Sequence, residues 1–189
     1  MLFRSLFVGG EWLPNSLVEL DLETGQPTAW VADLHRLSRP YQMALSGGKI
    51  YAVGVGSAKE WGLYIIDQAT GVEQDANIPV FEGGDVAVVA AAGDKVFVAG
   101  DFDTVNGEER HVLAVFEGPT GALLPCHIDF SKDFAYNDKY AIYSSYSLAL
   151  SVDNSTLYIS GFCCGVIAFD LATCMHTWID FPSLYPLRL

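Results

Sequence analysis

Positive charge is scarce in this chain. Ten Lys and Arg stand against 23 Asp and Glu, for a formal net charge of −13. No basic cluster reverses that field locally, which opposes binding to a polyanion and excludes nucleic acid as an expected partner. Long apolar runs are also missing. The longest, around residues 86–92, is Ala-rich and far too short to cross a bilayer, so it reads as a buried strand and no membrane insertion is expected. The four His residues (His35, His111, His127 and His176) are dispersed. There is no Gly-x-Ser-x-Gly elbow, no His pair at zinc-protease spacing and no phosphate-binding glycine loop.

Cysteine is sparse and badly spaced for a metal. Cys126, Cys163, Cys164 and Cys174 form no CxxC pair, which removes the usual zinc arrangement. In the last repeat, Cys163 and Cys164 fall in the turn before a strand and Cys174 in the turn after it. About six residues at ~3.3 Å each separate those turns, beyond the ~7 Å Cα reach of a disulfide. Buried or incidental thiols are the expectation, with a link from Cys126 to Cys163 or Cys164 left open.

What the chain does have is self-similarity. Apolar strands ending in a small residue and Gly recur as Leu6-Phe7-Val8-Gly9-Gly10, Ile50-Tyr51-Ala52-Val53-Gly54, Val96-Phe97-Val98-Ala99-Gly100 and Leu157-Tyr158-Ile159-Ser160-Gly161. Each is followed by a second strand that runs into a turn opened by a carboxylate: Asp21 to Gly25, Asp67 to Gly71, Glu117 to Gly121 and Asp170 to Cys174. The carboxylate accepts backbone N–H groups and Gly supplies the positive φ, so these are tight turns with a stated cause. Cys174 breaks the pattern. Another strand precedes each of the last three, at Tyr41 to Leu45, Val86 to Ala90 and Tyr146 to Leu150, and a weaker one follows the turns, as at Thr28 to Val31 and Met175 to Asp180.

Four antiparallel strands per repeat of roughly 40 to 50 residues read as blades of a β-propeller. The expected fold is all-β, about four four-stranded blades at residues 6–40, 41–85, 86–144 and 145–182, with 183–189 starting or completing another. Alternate residues of each strand should face the two neighbouring blades. The first blade has no first strand, and Tyr185 to Leu189 matches a first-strand pattern. A segment of a larger propeller is therefore expected in preference to a closed four-bladed ring, which an isolated 189-residue chain would otherwise require.

The repeat resembles the propeller repeats of large bacterial secreted or surface proteins. Gly100-Asp101-Phe102-Asp103-Thr104-Val105-Asn106-Gly107, then Arg110, Leu113-Ala114, Thr120-Gly121 and Leu124-Pro125 carry that likeness, with Cys126 where the pattern has Trp. Ala168-Phe169-Asp170-Leu171-Ala172-Thr173-Cys174-Met175-His176-Thr177-Trp178 is similar to the docking motif of quinoprotein-like (PQQ-like) repeats, with Cys174 in place of Gly; residues 20–30 are a looser relative. In that family the Trp packs between blades while Asp and Thr order the turn. The resemblance implies an architecture, a secreted or cell-envelope location and an interaction role more than a reaction.

Residues 101–109 invite a calcium reading, since oxygen ligands alternate along the loop, but the register is wrong for an EF-hand and a polar turn with Phe102 buried and Asn106-Gly107 bending accounts for them. No cofactor is expected; calcium and PQQ are the weaker alternatives. Two longer connections, at residues 102–111 and 129–144, emerge on one face of the expected ring. They make a candidate interaction face for protein or carbohydrate from Asp103, Glu108, Glu109, Arg110, Lys132, Phe134, Tyr136, Asp138 and Tyr140, because aromatic surfaces with polar edges suit such contacts. The expected function is a non-catalytic scaffold; the alternative is part of a quinoprotein-like or other propeller enzyme whose catalytic residues lie outside this chain.

Overall fold

The computed structural model describes residues 6–8, 11–13, 17–75, 79–110, 112–126, 145–161 and 166–180. Among them there are strands and no helix, and the strands pair antiparallel throughout. The first repeat is two separate hairpins, β1 (Leu6–Val8) with β2 (Glu11–Leu13) and β3 (Val18–Leu20) with β4 (Pro27–Val31). The second is a sheet of β5 (Leu37–Ser46), β6 (Lys49–Gly56) and β7 (Trp61–Asp67). After β8 (Phe81–Glu82) comes a third sheet, in which β10 (Lys95–Gly100) lies between β9 (Val86–Ala92) and β13 (Leu113–Glu117). Between β10 and β13 the chain makes a small hairpin, β11 (Thr104–Val105) and β12 (Glu108–Glu109), which pairs with β8. The last sheet runs β14 (Ser145–Leu150), β15 (Thr156–Gly161), β16 (Val166–Asp170) and β17 (Met175–Asp180) in simple order.

Three expectations need correcting. Leu6–Val8 pairs with the strand that immediately follows it and not with residues 18–20, so the first repeat is not one sheet. The strand expected from Tyr41 begins at Leu37. Among the described residues only the last repeat forms a four-stranded sheet; in the second and third the described outer pairing is a single bridge, Ile66 with Glu73 and Phe116 with Leu123. The chain has other work there. In the second repeat Val72 bridges Asp33 and Glu73 turns to hold residues 35–37. In the third, Pro125 has no N–H to continue a ladder.

Side-chain alternation then stacks the sheets face to face. In β6, Ile50 and Ala52 join a core with Leu17, Ala32 and Leu37, while Tyr51 and Val53 join the next core. Tyr64 and Ile66 of β7 divide from Leu63 and Ile65 in the same way. In β10 and β13, Val96, Val98, Ala114 and Phe116 face the second sheet, and Phe97, Leu113 and Val115 face the fourth, against Leu157, Ile159, Ile167 and Phe169. Period-2 geometry sends successive residues to opposite faces, so the second and third sheets are apolar on both sides and buried on both. Their first strands sit side by side: β9 contacts β5 on one flank and β14 on the other, and Gln42 Oε1 accepts the Val89 N–H at 2.8 Å.

The glycines that end the recurring strand have a packing cause. A Cβ on Gly54 would overlap the Arg39 carbonyl, and one on Gly100 the Asp85 carbonyl, each beside a register shift in the ladder.

Candidate functional site

The carboxylate that opens each recurring turn is bound within that turn. Asp67 Oδ1 accepts the N–H groups of Ala69 and Thr70 and the Thr70 hydroxyl, all within 3.1 Å. Asp21 with Glu23 and Thr24, and Asp170 with Ala172 and Thr173, repeat the arrangement. The longer Glu117 keeps only the Thr120 hydroxyl contact at 2.5 Å. Hydrogen bonds to the charged form hold Asp21 and Asp170 below the usual carboxylate range. Asp67 goes further, to about 2, chiefly through Lys49, whose ammonium lies 3.0 Å from Oδ2, and then through Thr70. These carboxylates are occupied in shaping the turns.

The excursion of the third repeat lies between β10 and β13. Phe102 and Val105 are buried and anchor it in the core between the second and third sheets, where Phe81 meets Phe102 edge-on at 5.0 Å. Asn106 and Gly107, with φ of 53° and 76°, form the tip, as their sequence leads one to expect. Asp103, Glu108 and Glu109 are exposed. Arg110 is turned inward: its guanidinium donates to the Glu109 carbonyl and to Glu108 Oε2, both at 2.8 Å, while Nε has no hydrogen-bond partner. It braces the hairpin and draws Glu108 along it. Lys132, Phe134, Tyr136, Asp138 and Tyr140 lie outside the described residues.

Beneath the hairpin the surface stays acidic. Glu82 accepts the Thr104 hydroxyl at 3.0 Å, and Asp101 Oδ1 accepts the Asp85 N–H. Burial, followed by the neighbouring Asp101 charge, pushes the Asp85 carboxyl up. No group of three or more His, Cys, Asp or Glu placed to hold a metal ion occurs among the described residues.

Two features escaped the sequence. Glu73, 2% exposed, accepts the N–H groups of His35, Arg36 and Leu37 and the Arg36 Nε–H, all within 3.3 Å, pinning the entry to β5. Only its place shortly after the Asp67 to Gly71 turn marks it, and nothing local announces its partners. The second is a disulfide between Cys126 and Cys174, with Cα atoms 5.1 Å apart. This corrects the expectation of free thiols and displaces a Cys126 link to Cys163 or Cys164, which lie outside the described residues. The spacing estimate compared two turns of one sheet, whereas the bond joins successive sheets.

Trp30 also crosses between sheets. Its indole N–H donates to the Gln68 carbonyl at 2.8 Å, in the turn of the second sheet. No family model matches the chain, and no curated protein matches it.

Proposed function

We propose that the chain is a segment of a β-propeller acting as a non-catalytic scaffold, with the 101–110 excursion as its contact face. The observation that carries this is the stacking of successive sheets by alternating side chains, with their first strands side by side, as blades around an axis require. Such a body is rigid, and a hairpin rooted in its core presents side chains at little ordering cost. Asp103, Glu108 and Glu109 favour a partner surface that is basic, or a carbohydrate whose hydroxyls donate to carboxylates. The disulfide agrees with an oxidising location, a secreted or cell-envelope protein.

The test is an array of neutral glycans and basic peptides probed with the whole chain and with a double variant, Asp103→Asn and Glu109→Gln, which keeps the Glu108–Arg110 pair. Binding by the parent chain that weakens at least tenfold in the variant, with an unchanged unfolding midpoint, supports the proposal. Equal binding by both proteins, or none by the parent, refutes it.

A further inference from the structure

The last of the recurring turns differs from the other three at its fifth residue. Gly25, Gly71 and Gly121 adopt positive φ, and their N–H groups donate to the carbonyls of Asp21, Asp67 and Glu117. Cys174 holds the same place in the last turn, with φ of 58° and its N–H on the Asp170 carbonyl. A side chain is disfavoured in that left-handed conformation. What Cys174 gains is a partner in the preceding sheet.

That partner occupies a recurring position. Cys126 is the fifth residue after Gly121, as Trp30 is the fifth after Gly25. Trp30 reaches the following sheet's turn through Gln68, and Cys126 reaches the following sheet's turn through Cys174. Lys95 adds a second tie to the latter turn, donating to the Leu171 carbonyl at 2.9 Å. The position thus fastens one sheet to the next, by an indole hydrogen bond in one repeat and by sulfur in another.

We propose that Cys126–Cys174 is a redox latch between the third and fourth sheets, and that the bond is what sustains a non-glycine residue in the last turn. Closing it requires an oxidised dithiol donor, a protein or small-molecule disulfide. One cysteine thiolate attacks the donor disulfide, forming a mixed disulfide and expelling one donor thiol. The second cysteine attacks the mixed disulfide, forming the protein S–S bond and expelling the other donor thiol. Two protein thiols are oxidised while one donor disulfide is reduced to two thiols. Reduction reverses the exchange, leaving the fourth sheet held by its apolar face and by Lys95, with Cys174 unfavourably placed in its turn.

The test combines thiol mapping with unfolding of the whole chain. Alkylation without reductant, then proteolysis and mass spectrometry, should recover the peptides bearing Cys126 and Cys174 joined, and reduction should separate them. In denaturant, the Cys174→Gly variant should fall between the two wild-type forms. It should lie below the oxidised protein, whose folding constant exceeds that of the reduced by about thirtyfold to a thousandfold. It should lie above the reduced protein by about fivefold, because Gly relieves the turn. Free thiols at both positions, a Cys126 link to Cys163 or Cys164, or a glycine variant no more stable than the reduced wild type would each overturn the latch.

Discussion

Asp67 shows how much of this molecule is decided by short-range chemistry. Its carboxylate is bound by Lys49 and by the turn it opens, and its pKa is depressed to about 2. A group depressed in the folded state contributes stability that is complete above its unfolded pKa and is lost as pH falls through the folded one. The unfolding midpoint should therefore decline between about pH 4 and pH 2, and Asp67→Asn should flatten that decline while lowering the midpoint at neutral pH. Denaturant titrations of both proteins across that window check it. Glu73 is the opposite case. Replacing it with Ala removes the acceptor that the N–H groups of residues 35–37 and the Arg36 Nε–H share, while the Arg36 guanidinium keeps the Gln74 carbonyl. A loss of about 3 kcal/mol is expected from urea unfolding at neutral pH. The Asp67 turn was legible because all but one of its partners lie within three residues; Glu73 was not, because its partners lie more than thirty residues away.

Strand identity was legible for a similar reason, since alternation is written along each strand. Strand number was not. Whether an outer strand forms depends on competing demands after the turn, and in the second repeat the pull of residues 33–37 wins. The bulges are equally a matter of neighbours. Gly100→Ala would drive a Cβ into the Asp85 carbonyl and should cost about 2 kcal/mol in a thermal or denaturant unfolding experiment. A sheet-to-sheet tie predicts a smaller effect: Trp30→Phe keeps the ring but loses the donor to Gln68, and about 1 kcal/mol should disappear from the unfolding free energy. No change in that variant would mean that the indole hydrogen bond adds nothing to the junction beyond packing and the Asp33–Val72 bridge.

Across the whole molecule, stacked apolar cores carry stability while acidic side chains remain at the periphery. An all-β fold, the recurring turns and the two-faced apolar strands were determined by the order of residues alone, because each depends on neighbours a few positions apart. The tertiary structure decided which sheet faces which, where among the described residues the outer pairing is reduced to a bridge, and that Cys126 meets Cys174. Those outcomes depend on residues distant in sequence coming within a few ångströms. Spacing along one strand measures distance within a sheet, and it carries no measure of the gap between sheets across which the sulfur bond closes.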